Sequence, residues 1–204
     1  MSILYIHGMG GGADSRIPAI LNDESLDVIV RTYDFDPEVA AGQIAAWVAE
    51  IQPDLIVGES LGSLHALKIS GIPKILVSPA LNAPIYFEIM AWLTLIPGLG
   101  SLFDRIYRPR EGDRQSLHFT FDVLRKYLPH RREALAGAVK SADSVFAFIG
   151  TRDHYRRSGV VSVRTWKKYF GESFMLYDGT HFTEEEYVRG ILKNYILKVL
   201  NNNK

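Results

Sequence analysis

Apolar residues recur along the chain in two patterns that predict different elements. One pattern is a short, nearly continuous apolar run, as in strands that are buried on both faces of a parallel sheet. Six such runs predict six strands. They are Ile3 to His7, Val28 to Tyr33, Leu55 to Gly58, Lys74 to Ser78, Val145 to Gly150 and Phe174 to Tyr177.

The second pattern is a spacing of three or four residues, which places apolar side chains on one face of a helix. Glu38 to Ile51 shows this spacing at Ile44, Val48 and Ile51, and Val160 to Phe170 shows it more weakly. Strands and helices therefore alternate. This order favours an α/β class, a three-layer α/β/α sandwich with a mostly parallel sheet of about six strands and helices on both faces.

The C-terminal segment carries the clearest helical pattern. Its apolar positions on one face are Val188, Ile191, Leu192, Tyr195 and Val199. Thr183 and Glu186 stand three residues apart just before this run, which is the spacing of a capping box. We therefore expect the last helix to begin with this box.

One long segment interrupts the alternation of strands and helices. More than sixty residues separate the predicted strand that ends at Ser78 from the one that starts at Val145. Such a distance is far longer than the usual link between a strand and its helix. We expect an insertion at about residues 82–140 that forms a helical cap, or lid, within a single domain covering residues 1–204.

The first half of this insertion, Ala83 to Gly100, is rich in apolar and aromatic residues. It is bracketed by Pro84 and Pro97 and interrupted by Glu88, so it is too short and broken to span a membrane. Exposed aromatic side chains here would suit a cap over an apolar substrate, and they would equally suit a homodimer face.

The second half of the insertion is mildly basic. Its charged residues are Arg105, Arg108, Arg110, Arg114, Arg125, Lys126, Arg131 and Arg132, against Asp104, Glu111, Asp113, Asp122 and Glu133. A solvated face with salt bridges and a binding surface for an anionic substrate group both fit this composition.

Composition and charge narrow the class of protein. With 204 residues, 47% of them hydrophobic, the chain suits one globular domain. Its 23 basic and 23 acidic residues balance, so no global field favours nucleic acid or an anionic membrane. The absence of cysteine excludes disulfides and thiolate chemistry.

Strand-like residues occupy the N-terminus where a signal peptide would lie, so we expect a cytoplasmic location, although a mature secreted form would look the same.

The pentapeptide Gly58-Glu59-Ser60-Leu61-Gly62 is the strongest chemical signal in the chain. It follows a predicted strand and precedes a helix-like segment. A serine at such a sharp strand-to-helix turn has its hydroxyl exposed at the sheet edge, because small glycines on both sides allow the close packing of the turn. The pattern indicates a nucleophile elbow, with an ordinary structural turn as the alternative.

A serine nucleophile needs a base, and the base needs a carboxylate to hold it in one tautomer. His181 lies in the loop between the last predicted strand and the C-terminal helix, and Asp153 follows the strand that ends at Gly150. Both therefore belong to the sheet edge where the serine turn lies. We take Ser60, Asp153 and His181 as the candidate catalytic residues.

Other histidines and aspartates fit these two roles less well. His65 lies in the helix behind the serine and is expected to pack in the core, while His118 and His130 belong to the insertion. Asp178 leaves its strand too early and Asp143 precedes its strand, on the opposite edge of the sheet. We expect His7 and His154 to line the site without acting as the base. The residues that fit the roles of base and carboxylate less well are therefore His65, His118, His130, Asp178 and Asp143.

A Gly-rich run, His7-Gly8-Met9-Gly10-Gly11-Gly12, follows the first predicted strand. Glycine lets backbone amides approach a ligand closely, so we expect the amides of Met9 and Leu61 to form an oxyanion hole. The side of the site nearest this run is expected to be lined by His7, Gly8, Gly10 and Glu59. A phosphate cradle is the alternative, but the P-loop lysine and the dinucleotide-binding glycine spacing are both absent.

Taken together, these motifs resemble the α/β-hydrolase superfamily. The matching stretches are His-Gly-Met-Gly-Gly, Gly-Glu-Ser-Leu-Gly around Ser60, Gly-Thr-Arg-Asp-His around Asp153 and Asp-Gly-Thr-His-Phe around His181. Within it, the chain is similar to the short YqiA-like bacterial esterases, over residues 1–81 and 143–200. The insertion is longer and more aromatic than in those enzymes.

The resemblance implies a serine esterase or thioesterase that forms an acyl-enzyme on Ser60 and needs neither a metal nor an organic cofactor. The expected partner is a small-molecule ester or thioester, with no nucleic acid and no membrane span. Two rivals stay open: a hydrolase-fold protein that binds without catalysis, and a lyase or peroxidase that uses the same serine site.

Overall fold

The computed structural model describes residues 1–107, 111–140 and 144–202. Six strands form one sheet, and every neighbouring pair is parallel. The strands are β1 (Ser2–Ile6), β2 (Asp27–Val30), β3 (Leu55–Glu59), β4 (Lys74–Val77), β5 (Val145–Gly150) and β6 (Phe174–Tyr177), in the spatial order β2-β1-β3-β4-β5-β6. The predicted parallel six-stranded sheet is confirmed, and the sheet is open.

The second strand is shorter than predicted, because it was expected to continue to Tyr33. It lies at the sheet edge and pairs with β1 only as far as Val30. Tyr33 instead turns inward, stacks on His7 and donates its hydroxyl hydrogen to the carbonyl oxygen of His7. An aromatic ring with one polar group is buried well when that group finds such a partner.

The helices are α1 (Arg16–Asp23), α2 (Pro37–Ile51), α3 (Gly62–Leu67), α4 (Ala83–Thr94), α5 (Leu99–Ile106), α6 (Phe121–Lys140), α7 (Tyr155–Ser158), α8 (Val163–Phe170), α9 (Glu185–Tyr187) and α10 (Lys193–Asn202). Helices α2 and α8 were predicted, the second with a later start. Helix α1 was not predicted, although Ile17, Ile20 and Leu21 are buried at helical spacing.

Two apolar cores lie on opposite faces of the sheet, as a three-layer sandwich requires. Alternate strand residues such as Leu4, Ile56 and Leu76 join the core that contains buried residues of α2, α3, α4, α6 and α8. Their neighbours, such as Ile3 and Val57, join the core with α1 and the C-terminal helices. The period of two along each strand divides its side chains between these cores, which confirms the predicted layering.

The predicted capping box at the C-terminal helix is wrong. Thr183 has a φ of +48°, and its hydroxyl lies 2.7 Å from that of Tyr177 instead of accepting a helix amide. Glu184 is the N-cap residue, and its carboxylate accepts from the amide of Thr180. The Thr183 side chain therefore forms a tertiary contact with Tyr177 and does not cap the helix. The apolar face itself is buried as expected, at Val188 and Leu192 in a π-helical turn (Val188–Leu192) that joins α9 to α10.

The predicted insertion contains α4, α5 and α6. Helix α4 packs along α6, and buried residues of both, such as Phe87 and Tyr127, share the core on one face of the sheet. Arg108, Arg110 and Asp143 lie outside the described residues, as does the side chain of Asp104. None of the helices in the described ranges combines the length and the apolarity needed to cross a bilayer. The cytoplasmic location stays a prediction.

Candidate active site

Ser60 occupies the strained turn between β3 and α3. Its φ is +49°, a left-handed conformation that non-glycine residues rarely adopt and that tends to occur at functional sites. The turn is held by its backbone: the Ser60 amide donates to Val77 O at 2.9 Å, and Ser60 O accepts from the Ala80 amide at 3.1 Å. Neighbouring β4 thus fixes the position of the serine.

The two flanking glycines permit close packing at this turn. A Cβ atom on Gly62 would lie 2.3 Å from His7 O and 2.4 Å from Ile6 O, and one on Gly58 would lie 2.9 Å from the Cβ of Ala66. The first strand and α3 therefore approach the turn more closely than any side chain would allow.

The three candidate catalytic residues lie next to one another at the carboxyl edge of the sheet. His181 Nε2 is 3.0 Å from Ser60 Oγ, and His181 Nδ1 is 2.8 Å from Asp153 Oδ2. Both His181 and Asp153 are buried, while Ser60 is partly exposed. Such an arrangement permits a proton to pass from the serine hydroxyl to an imidazole whose other nitrogen is held by a carboxylate.

Asp153 follows β5 after the two residues Thr151 and Arg152, and hydrogen-bond donors surround its carboxyl group. Burial alone would raise the pKa of its carboxyl group, but the hydrogen bond and charge of His181 and the amide of Tyr155 outweigh burial and hold that pKa below its usual value. The Tyr155 amide donates to Asp153 Oδ1 at 2.9 Å, so the carboxylate is fixed on both oxygens.

The Gly-rich loop lies against the serine. A Cβ atom on Gly8 would be 2.9 Å from the Cβ of Ser60. Gly8 to Gly11 form a turn that is closed by a 3.0 Å bond from the Gly11 amide to Gly8 O. Neither the Met9 amide nor the Leu61 amide donates a hydrogen bond to any residue that the structure describes, so both remain available as donors.

Several of the residues expected to line the site have other contacts. His7 is buried behind the glycine loop, where its Nδ1 lies 2.7 Å from Gly8 O, and burial lowers the pKa of its ring to about 4. The carboxylate of Glu59 accepts from the hydroxyl of Tyr5 at 2.7 Å. His154 has its ring 5.9 Å from that of His181.

Four of the residues that were considered less suitable for catalysis lie in the core or on the surface. His65 packs in the core as expected and contacts the ring of His130 at 4.6 Å. His118 is exposed on the insertion. Asp178 forms an exposed ion pair with Arg152. None of these four side chains forms a hydrogen bond with Ser60 or His181 in the described parts of the chain.

Two residues near the site were not predicted from the sequence. Arg16, on α1, donates to the carbonyl oxygens of Phe182 and Thr183, which directly follow His181. Gln115, in the insertion, accepts a hydrogen bond from the amide of Gly10 at 3.1 Å. No local pattern marks either residue, because each acts on a segment that is more than a hundred residues away in sequence.

Among the described residues, no group of three or more His, Asp or Glu side chains is placed so that it could hold a metal ion.

No family model matches the chain, and no curated protein matches it significantly. Solved structures do resemble it. The monoacylglycerol lipase of Paleococcus ferrophilus is 17% identical, with a TM-score of 0.66, over 100% of this chain and 95% of that one. Serine hydrolase F of Staphylococcus aureus, a fluorophosphonate-binding enzyme, is 15% identical, with a TM-score of 0.62, over 98% of this chain and 83% of that one.

A third similar structure comes from a study of the metagenome-derived lipolytic enzymes LipS and LipT. It is 12% identical, with a TM-score of 0.63, over 98% of this chain and 93% of that one. At such identities, the likenesses show that the chain has the α/β-hydrolase fold. The finer resemblance to YqiA-like esterases stays a prediction.

Proposed function

We propose that this protein is a serine hydrolase that cleaves a carboxylic ester or thioester through an acyl-enzyme on Ser60. The observation that carries the proposal is the continuous hydrogen-bonded path from Ser60 Oγ to His181 Nε2 at 3.0 Å and from His181 Nδ1 to Asp153 Oδ2 at 2.8 Å. The strained backbone at Ser60 agrees with a nucleophile that is held in place for reaction.

In the proposed acylation step, Ser60 Oγ attacks the carbonyl carbon of the substrate while His181 Nε2 takes the hydroxyl proton. The resulting oxyanion accepts hydrogen bonds from the amides of Met9 and Leu61. Collapse of this intermediate breaks the bond to the leaving alcohol or thiol, which receives the proton from His181. Water, activated by His181 in the same way, then releases the carboxylic acid and restores Ser60.

Asp153 is proposed to orient His181 and to stabilise the imidazolium that forms in each step. Its pKa is held below the usual value, so its negative charge is present throughout the neutral range. A buried carboxylate close to the imidazole stabilises a developing positive charge more strongly than one in water, because the local dielectric constant is low.

Aromatic and apolar side chains around the site favour an acyl group as the substrate. The ring of Tyr155 lies 4.6 Å from that of His181, Phe182 is 64% exposed beside it, and Leu117 of the insertion reaches towards Gly10. We therefore propose that the insertion acts as an apolar-lined cap. The similar structures, named as lipases and lipolytic enzymes, support the same substrate class.

The proposal is tested by treating the purified protein with a fluorophosphonate and measuring its intact mass. We expect one adduct, mapped to Ser60, that is absent from Ser60→Ala. Ser63→Ala is a matched control, because Ser63 lies on the adjoining helix and donates its hydroxyl to Gly58 O; this variant should still be labelled. A panel of p-nitrophenyl esters and acyl thioesters of increasing chain length then defines the substrate.

Two results would overturn the proposal. Equal labelling of the wild type and Ser60→Ala would mean that another group reacts. A folded wild-type protein that forms no adduct and hydrolyses no ester would favour a protein that binds without catalysis.

A further inference from the structure

The insertion contacts the Gly-rich loop through the segment 112–117. Gly12 and Arg114 form an isolated antiparallel bridge, and a Cβ atom on Gly12 would lie only 1.8 Å from Asp113 O. The carbonyl of Asp113 accepts from the hydroxyl of Thr32, which in turn accepts from the amide of Ala13. The insertion is therefore joined to the loop by close backbone contacts that leave no room for a side chain at position 12.

Gln115 is the polar side chain of this segment that reaches the loop. It is 1% exposed. Its Oε1 accepts from the Gly10 amide at 3.1 Å, and its Nε2 donates to Asp34 O at 3.3 Å. The backbone amide of Gln115 donates to Gly11 O at 2.7 Å. Both polar atoms of this buried side-chain amide have a partner, and an apolar side chain of the same size would leave the Gly10 amide unpaired.

The bond to Gly10 falls on the peptide whose orientation distinguishes two common types of turn. Gly10 has a φ of +72° and is the third residue of the turn from Gly8 to Gly11, as in a type II turn. Type I and type II turns differ by a rotation of the central peptide, here the one between Met9 and Gly10. An acceptor on the Gly10 N–H selects one of these two orientations.

We propose that Gln115 is a positioning residue for the oxyanion hole: its bond to the Gly10 amide anchors the turn from Gly8 to Gly11 and thereby holds the Met9 amide of this turn in place beside Ser60. This inference rests on the function proposed above. The insertion then has a second role besides covering the substrate, because it supplies the group that orders the loop. Donors fixed before the reaction stabilise an oxyanion without reorganising.

The first test compares Gln115→Met with the wild type. Methionine keeps the size of the side chain and removes the acceptor. Loss of a whole oxyanion donor lowers kcat by about 10²–10³-fold, so a donor that is only loosened should lower kcat by about tenfold with KM for a p-nitrophenyl ester nearly unchanged. Gln43→Met is the control, because Gln43 accepts from the amide of the same Asp34 without touching the loop; its kcat should match the wild type.

The second readout is amide hydrogen exchange, which needs no catalysis. The Gly11 amide bonds to Gly8 O, which the substitution does not alter, so faster exchange there reports a disordered turn. We expect about tenfold faster exchange at residues 8–12 in Gln115→Met, a rise that corresponds to weaker local protection.

These measurements separate failure of the positioning role from failure of the proposed function. If the wild type and Ser60→Ala are equally inactive on esters, the proposed function fails, while exchange still decides whether Gln115 orders the turn from Gly8 to Gly11. Unchanged exchange at residues 8–12 in Gln115→Met, or an equal fall in kcat in Gln43→Met, would overturn the role of Gln115. If Gln115→Met does not fold, Gln115→Asn, which shortens the reach by one methylene, replaces it in both measurements.

Discussion

At the serine turn, steric constraints determine the residue type as much as the chemistry does. Ser60 has a positive φ, and Gly62 lies where a side chain would strike the carbonyl oxygens of Ile6 and His7. Those oxygens belong to the end of β1 and the start of the glycine loop, so they are fixed by the sheet. The positions of the serine and of the loop therefore depend on the same glycine.

We predict that Gly62→Ala lowers the free energy of unfolding by about 1–3 kcal/mol, the usual effect of overpacking, and abolishes labelling of Ser60. Gly42→Ala is the matched control. Gly42 lies inside α2, with nothing within 4 Å of an added Cβ, and alanine favours a helix interior by about 1 kcal/mol over glycine. Urea unfolding should show the two variants changing stability in opposite directions; a similar change in both would contradict the steric account.

At the scale of elements, three buried histidines connect the end of β1 to α3 and α6. His7 stacks on Tyr33, Tyr33 meets the edge of His65, and His65 contacts His130. Burial lowers the pKa values of His7 and His130 to about 4 and that of His65 well below its usual range, with Lys68 adding to the effect at His130. The neighbouring charges are Lys68 and Glu133 at His130, and Arg114, Asp113 and Asp14 at His7.

This arrangement predicts a loss of stability on mild acidification. A histidine with a folded pKa below its unfolded value of about 6.5 contributes fully above that value, and its contribution falls as the pH drops towards 4, because the unfolded chain binds the proton more readily. At pH 5, each histidine with a pKa of about 4 should remove about 2 kcal/mol.

The acid sensitivity is measured by urea unfolding of the wild type and His130→Leu between pH 7 and pH 4.5. We expect the variant to lose about 2 kcal/mol less than the wild type on going to pH 5, since one such histidine is gone. Parallel curves for the two proteins would show that His130 does not have a lowered pKa. The carboxyl group of Asp153, whose pKa is also lowered, contributes only at lower pH.

At the scale of the whole molecule, the insertion leaves a large apolar surface exposed. On α4 the exposed residues Ile85, Ile89 and Trp92 recur at helical spacing, and on α5 Leu102 and Ile106 do the same. Ile89 and Ile106 are 60% and 61% exposed. Exposed apolar residues in such number often mark a surface for a partner or a ligand. The homodimer face, which the sequence offered as an alternative to a substrate cap, stays a prediction.

Light scattering coupled to size exclusion tests this prediction. We expect the wild type to elute with the mass of a dimer and the double variant Ile89→Ser/Ile106→Ser with that of a monomer. Leu197→Ser is the control, because Leu197 is exposed on α10, whose buried residues belong to the core on the other face of the sheet. A monomeric wild type at high concentration would contradict the prediction. It would favour the alternative, in which these apolar residues form a cap over the substrate.

The sequence by itself determined the features that local patterns encode. Short apolar runs and helical spacing predicted the six strands and helices α2, α8 and α10, because burial on a sheet or helix face repeats with the period of the element. The strand-turn-helix motif at Ser60 and the placing of Asp153 and His181 after strand ends followed from the rule that parallel strands end at one edge. The structure brings these three side chains within hydrogen-bonding distance.

Only the tertiary structure decided what depends on contacts between distant segments. Thr183 was expected to cap a helix and instead pairs with Tyr177, because a buried tyrosine hydroxyl competes for its side chain. Gln115 reaches Gly10 across 105 positions, and Arg16 reaches Phe182 across 166. Such partners share no period and no spacing, so they are set by the folding of the whole chain, which brings the insertion and α1 against the site.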